Sequence, residues 1–296
     1  MPQVWINGTF EPEEAAGVSL RDTGLLHGTG VFTTMRANDG TVVRLAQHLA
    51  RLRASCDALS IPLPFKDDEL TAANVELLKR NEFPSARLRL TVTRGSATND
   101  PVHGLRLSPN VFLTASVFEP YPASFYEKGL TVVVLDDQKL NPYDVQAGHK
   151  TLNYFSRFAG LRTASLAGAG EALWFDVHNY LQSGSISNVF IVKDGTIITP
   201  PTPAEMKDPF INSRTPYPKS SVLPGVTRAA VIELAKAQSL TVDTRAIEIA
   251  QLLEADEVFL TNSIMGVMPV CRVEKKPIGD EKPGRITRRL TQLLDA

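Results

Sequence analysis

The sequence predicts an α/β chain of two domains, and three observations carry that expectation. Apolar runs of strand type alternate with stretches of helical period. A chain of 296 residues is long enough to bury two modest cores. The segment "EPYPASFYEKG", residues 119–129, then breaks the pattern with two prolines and a glycine, which is the composition of a boundary. The expected division is a smaller N-terminal α/β domain over 1–119, a linker over 120–129 and a larger C-terminal α/β domain over 130–296.

Taken in order, "QVWING" and "TVVRL" read as strands, the second preceded by Asp39-Gly40, a pair that commonly closes a hairpin. A helix follows. In "LAQHLARLRASCDAL" the apolar residues Leu45, Leu49, Leu52, Cys56 and Leu59 step by four and three, which makes one buried stripe. His48, Arg51 and Ser55 lie together on one flank of it, where a side chain is packed yet reaches a cleft. "ARLRLTVTRG" (86–95) alternates, with Leu88, Leu90 and Val92 on one face and Arg87, Arg89, Thr91 and Thr93 on the other, the pattern of a half-buried strand. "LTVVVL", a helix near 152–167, two strands within "LWFDVHNYLQSGSISNVFIV", and "GTIITP" come next. Residues 200–224 carry seven prolines and little periodicity, so a long loop of functional or mobile kind is expected. "GVTRAAVIELAKAQSL" is a helix announced by Pro224-Gly225, and "DEVFLTNS" reads as a last strand ending in a polar turn.

Composition excludes several classes of function. The net charge is -1 and the pI about 6.5, so nothing favours nucleic acid or an anionic membrane surface. Two cysteines, Cys56 and Cys271, are too few for a disulfide framework or a four-ligand zinc site. No run reaches the roughly 18 apolar residues that span a bilayer, and "MPQVWINGTFEPEEAAG" lacks a basic-then-apolar signal. A cytoplasmic protein is expected.

Three polar turns adjoin apolar elements: "LPGVT" at a helix start, "LTNS" after a strand, and "SGSISN". Free N–H groups at a helix start attract anions and small hydroxyl residues add donors, although each turn alone also reads as an ordinary cap. "GLLHGTG" is not G-x-G-x-x-G, and neither a P-loop nor a G-x-S-x-G elbow occurs. The histidines at 27, 48, 103, 149 and 178 are dispersed, which argues against a metal site. Lys150 in "QAGHKTLNYF" stands between a glycine-bearing approach and an apolar helical turn. Two readings are open for it: a solvated surface lysine, or a partly desolvated amine able to form a Schiff base.

Together these segments resemble the class IV aminotransferases, the fold type IV enzymes of pyridoxal 5'-phosphate, a family that includes branched-chain and D-amino-acid aminotransferases and aminodeoxychorismate lyase. The matching pieces run in family order: "WINGTF", "DTGLLHGTGVFTTMR", "HLARLRAS", "VTRG", "HKTLNY", "EALWFD", "SGSISNVF", "LPGVTRAAV" and "EVFLTNSIMGVMPV". The resemblance implies a two-domain α/β fold with the cofactor in the interdomain cleft, and a homodimer. It implies that Lys150 holds the cofactor and moves the substrate's α-proton. Arg51, with Val226, Thr227, Asn262 and Ser263, matches the phosphate-binding set, and Tyr154 matches a partner of the phenolic oxygen. Phe32, Thr34, Arg36, Arg94 and Thr98 are substrate-side candidates, with Arg106 a further one.

Three departures accompany the resemblance. The family carries an acid at the position seven after Asp176 and five before Asn188, where this chain has Ser183; that acid keeps the pyridine nitrogen protonated. The Arg-x-His pair of the D-amino-acid enzymes is replaced by Thr98, Asn99 and Asp100. The 200–224 segment is longer than the family's usual connection and reads as a lid or an oligomer contact. The expected function is transamination between a small or apolar amino acid or amine and a keto acid. Aminodeoxychorismate lyase is the alternative, and a cofactor-binding protein with catalysis reduced at Ser183 is the second.

Overall fold

Two units divide the chain: Met1–Glu119 with His149–Tyr154, and Pro120–Gly148 with Phe155–Ala296. The computed structural model describes residues 1–100, 104–206 and 220–295. Most of the proline-rich segment read as a lid or oligomer contact, residues 207–219, therefore lies outside the described residues.

The first unit contains β1 (Gln3–Ile6), β2 (Thr9–Pro12), α1 (Thr23–His27), β3 (Gly30–Asn38), β4 (Thr41–Val42), α2 (Leu45–Ala58), α3 (Asp67–Asn81), β5 (Ser85–Asp100) and β6 (Gly104–Val117). Its six-stranded sheet has the order β2-β1-β6-β5-β3-β4. Alternation puts Val31, Met35, Leu88, Leu90 and Leu113 into one core with Leu49, Leu52, Leu70 and Leu77 of the two long helices. The "TVVRL" strand is cut to two residues, because Arg44 takes φ 52 and turns the chain into α2. The polar face of β5 is less wet than its composition implies, since Thr91 and Thr93 are both buried. Gly95 takes φ +74, and a Cβ there would lie 1.6 Å from the Ser108 carbonyl oxygen; it permits the bulge after Thr93.

The six residues His149–Tyr154 join this unit by pairing with β3. Phe32 N donates to Lys150 O (2.9 Å) and Leu152 N to Gly30 O (2.8 Å), with Val31 and Thr151 in an antiparallel bridge. Backbone pairing thus places Lys150 with the first unit, whereas the sequence reading assigned it to the C-terminal stretch. The same pairing delays the following helix to Phe155.

The second unit contains α4 (Ala123–Lys128), β7 (Leu130–Leu140), α5 (Phe155–Leu166), β8 (Glu171–Asp176), β9 (Leu181–Gly184), β10 (Asn188–Lys193), β11 (Thr196–Thr199), α6 (Val226–Ala237), β12 (Val242–Thr244), α7 (Ile249–Leu253), β13 (Glu257–Asn262), β14 (Gly266–Val273), β15 (Lys276–Pro277) and α8 (Arg285–Asp295). Its nine-stranded sheet runs β12-β11-β10-β13-β14-β7-β8-β9, with β15 on β14. Residues 120–129 are not a bare linker: they hold α4, whose Tyr126 hydroxyl donates to Met265 O at 2.9 Å. Period-2 alternation splits the central strands between two faces. Phe190, Val192, Phe259 and Val267 pack with Val231, Ile286 and Leu290 of α6 and α8, while Val189, Ile191, Val258 and Leu260 fill the opposite core. "DEVFLTNS" is not the last strand. Asn262 Oδ1 accepts from Ile264 N and Met265 N, both at 2.8 Å, Gly266 takes φ +63, and the chain returns as β14. Pro269 in the middle of β14 disguises that strand in the sequence.

Candidate active site

Lys150 is half-buried, and its Nζ donates to the Tyr154 hydroxyl at 2.6 Å. The same nitrogen lies 4.6 Å from the centre of the Phe32 ring, and Phe32 and Tyr154 meet edge to face with centroids 5.3 Å apart. On Phe32 the Arg89 guanidinium stacks at 3.5 Å. An amine, a phenol and a guanidinium therefore share one aromatic surface, where reduced solvation strengthens each electrostatic contact. Burial lowers the Arg89 pKa and Tyr154 partly opposes that.

The flank of α2 supplies the next layer. Arg51 Nη2 donates to Thr33 Oγ1 at 2.9 Å, and Thr33 Oγ1 lies 2.7 Å from His48 Nδ1. A guanidinium only donates, so Thr33 Oγ1 accepts from Arg51 while its second contact links it to the His48 ring. Burial, then the cations Arg51 and Lys150, push the His48 pKa down to about 3, so the ring is neutral at neutral pH. Arg51 is lowered by burial to about 10 and remains a cation at neutral pH. Ser55 lies one turn along the same flank, its Oγ 3.0 Å from His149 Nδ1. The three flank residues thus converge on β3 and on the segment that carries Lys150.

In the second unit the three polar turns are tied to one another. Asn188 Nδ2 donates to Leu223 O at 2.9 Å, and Asn262 Nδ2 to Ile186 O at 3.2 Å. Gly225 caps α6 without a side-chain hydrogen bond, and a Cβ on it would come within 2.0 Å of Asn188 Oδ1. Among the described residues no side chain caps the start of this 12-residue helix at Gly225, and the buried Thr227 stands beside it. Thr261, opposite Asn188 in the sheet, has a buried hydroxyl with no hydrogen-bond partner among the described residues. Small donors around an uncapped helix start suit a phosphate or carboxylate group.

Within the turn at 183–188 the buried acid is Glu171. Its Oε1 accepts from Ala172 N and Ser185 N, both at 3.0 Å, and its Oε2 from Ile186 N (3.3 Å) and the Ser187 hydroxyl (3.1 Å). Burial raises its pKa while these four donors pull it down, and the net direction is upward. Ser183 is buried and accepts from Arg157 Nη1 at 3.1 Å.

The remaining predicted residues are less concentrated. Thr34 stands opposite Arg89 in the β3–β5 register, so both project from the face that carries Phe32. Arg36 is occupied elsewhere: its Nε donates to Asn38 Oδ1 at 2.9 Å and its guanidinium lies over Phe118 at 4.4 Å. Arg94 donates its backbone N–H to Thr29 O at 2.9 Å, and its Nε is buried without a partner among the described residues. Thr98 is exposed, opposite the exposed Arg106 in the β5–β6 ribbon. Sequence reasoning passed over Arg89, Thr33 and Arg157. Arg89 was visible only as one residue on the polar side of an alternating strand, and nothing local distinguished it from Arg87. Among the described residues no group of three or more His, Cys, Asp or Glu could hold a metal ion, and no helix is long and apolar enough to cross a membrane.

Comparison with known proteins shows the family. Residues 30–206 and 212–273 match the family model "Amino-transferase class IV". The chain is 33% identical over 294 residues to a putative branched-chain-amino-acid aminotransferase of Methanocaldococcus jannaschii, covering 98% of this chain and 94% of that one. It superposes with TM-score 0.86 and 29% identity on the branched-chain amino acid aminotransferase of Escherichia coli, covering 98% and 92% of the two chains. The 4-amino-4-deoxychorismate lyase of Pseudomonas aeruginosa is similar at TM-score 0.79 and 30% identity, with 98% and 97% covered.

Proposed function

The chain belongs to the class IV aminotransferases, and from that membership we propose that it moves an amino group between a small or apolar amino acid or amine and a keto acid, with pyridoxal 5'-phosphate linked to Lys150. The observation that carries the assignment is the Lys150 Nζ to Tyr154 hydroxyl hydrogen bond of 2.6 Å against the Phe32 ring. A solvated surface lysine has no reason to be held in this way.

The residues suit the cofactor's separate groups. An aldehyde needs a primary amine, which Lys150 provides. A phosphate dianion needs cations and N–H or O–H donors; Arg51 is a half-buried cation fixed by Thr33, and the α6 start, which has no side-chain cap, with Val226, Thr227, Asn262 and Ser263 offers the rest. Tyr154 is the candidate donor to the phenolic oxygen, and Ser183 is the candidate neighbour of the pyridine nitrogen. When bound, the cofactor supplies the electron sink that makes the substrate α-proton acidic. Lys150 Nζ is the base for that proton, and the Tyr154 hydroxyl holds it in position. Arg89, fixed flat on Phe32, is the candidate for the substrate carboxylate, with Phe32 beside it setting an apolar boundary.

The testing experiment is an absorbance spectrum of the purified protein with added pyridoxal phosphate, repeated on Lys150→Ala and followed as amino acids and amines are added. The expected result is a cofactor band that depends on Lys150 and bleaches with particular amines. A protein that takes up no cofactor sinks the proposal. A second reading, the lyase, is favoured by the likeness to the Pseudomonas aeruginosa enzyme. Release of pyruvate and 4-aminobenzoate from aminodeoxychorismate, with no amino transfer to any keto acid supplied, would establish it in place of transamination.

A further inference from the structure

Resting on the cofactor reading above, we propose that Arg157 is a positioning residue that aims the Ser183 hydroxyl at an unprotonated pyridine nitrogen, so that this chain works with a neutral cofactor ring. Ser183 is 6% exposed and has a specific neighbour. Arg157 Nη1 donates both to Ser183 Oγ at 3.1 Å and to Gly184 O at 3.2 Å. A serine hydroxyl has one donor and two acceptor sites, and a guanidinium has donors only. Arg157 therefore takes one of the oxygen's acceptor sites and leaves the O–H to donate outward. The group such a donor recognises is a neutral ring nitrogen with a free lone pair. A carboxylate in this place would instead demand a proton on the nitrogen.

The fold holds Arg157 where it is. The guanidinium lies over the Trp174 ring at 4.8 Å, and Trp174 is itself pinned by donating Nε1–H to Ser185 Oγ at 2.9 Å. One turn along α5, Gly160 lets the helix approach this strand pair. A Cβ at that position would lie 2.9 Å from Trp174 Cζ2, 3.0 Å from Leu135 Cδ1 and 3.0 Å from Ser185 Oγ.

Among the described residues, Glu171 and Asp176 do not replace the missing acid. Glu171 and Trp174 are three apart on β8, and Trp174, not Glu171, stands opposite Ser183 in the β8–β9 register. Alternation therefore turns Glu171 to the opposite face, where four donors occupy its oxygens. Asp176 closes the β8–β9 turn, accepting from His178 N and Tyr180 N at 2.9 Å and from Gln182 Nε2 at 3.0 Å. The charged group bonded to Ser183 is a cation, which disfavours a second positive charge on the ring.

The decisive measurement is the ¹⁵N chemical shift of the pyridine nitrogen in full-length holoenzyme reconstituted with ring-labelled pyridoxal phosphate, across neutral pH. The wild type is expected in the unprotonated range and Ser183→Glu in the protonated range. Arg157→Met is expected to raise the pH at which the nitrogen takes its proton, and Arg157→Lys to restore most of the wild-type shift. A protonated wild-type nitrogen overturns this inference alone. An Arg157→Met titration that coincides with wild type removes Arg157 from it. Absence of a Lys150-dependent cofactor band overturns the proposed function and this inference together.

Discussion

Two buried polar networks in this molecule are built on opposite plans. Around Lys150 the first unit gathers cations and hydroxyls: Arg51 on Thr33, Thr33 on the neutral His48, and Arg89 flat against Phe32. The turn at 183–188 in the second unit is organised on a carboxylate, Glu171, whose two oxygens accept from Ser185 N, Ile186 N and the Ser187 hydroxyl of that turn and from its own neighbour Ala172 N. The difference teaches how a buried charge reveals its role. A cluster of cations and hydroxyls suits an anionic ligand. Where one acid is saturated by its own turn, the charge is spent on shape.

The sharpest way to break this comparison is to delete both centres in parallel. Lys150→Ala is expected to lower amino transfer by at least ~10³-fold, about 4 kcal/mol in the barrier, with thermal unfolding nearly unchanged. Glu171→Leu is expected to do the reverse, removing roughly 3 kcal/mol of stability because four donors lose their acceptor in a buried site, read as a Tm drop of about 6–12 °C. If Lys150→Ala unfolded the protein, or Glu171→Leu left Tm in place, the two networks would not have the roles assigned to them.

A smaller effect is expected at the uncapped helix. Gly225→Ala drives a methyl to within 2.0 Å of Asn188 Oδ1, so the Asn188 to Leu223 link has to yield at a cost of about 1–3 kcal/mol. Denaturant melts with and without saturating phosphate separate lost fold from lost anion binding: a variant that keeps the phosphate stabilisation of wild type would remove this helix start from the anion site.

At neutral pH the smallest effect is that of His48, whose contribution shows as a pH slope on the acid side. Its folded pKa of about 3 lies below the value of 6.5 it has when unperturbed, so between those limits the unfolded chain binds a proton that the folded chain refuses. Stability is then lost as pH falls through that window, by up to ~1.4 kcal/mol per pH unit. His48→Asn is expected to flatten this part of the pH profile, measured by chemical melts at stepped pH. An unchanged slope would show that other groups dominate the acid limb.

Features set by local spacing are legible in the sequence. The apolar stripe of α2 placed His48, Arg51 and Ser55 on one flank, and all three make the contacts that flank allows. The three polar turns were visible as small residues bordering apolar runs. Arg89 was not separable from Arg87, because a strand's alternation assigns a face without saying what covers it. Pro269 concealed β14 by a rule that holds for most strands, and the six residues that join β3 leave no trace in a linear boundary.

By itself the sequence determined the apolar stripe of α2, the start of α6, the alternation of β5, the ordered family motifs and Ser183 at the position where the resemblance expects an acid, since each is a matter of neighbours within a few positions. Only the tertiary structure decided that Lys150 pairs with β3, that Thr33 bridges Arg51 and His48, and that Arg157 rather than Glu171 meets Ser183. Those outcomes depend on strand register and on the close approach of α5 at Gly160. Both are settled by packing between segments that lie far apart along the chain.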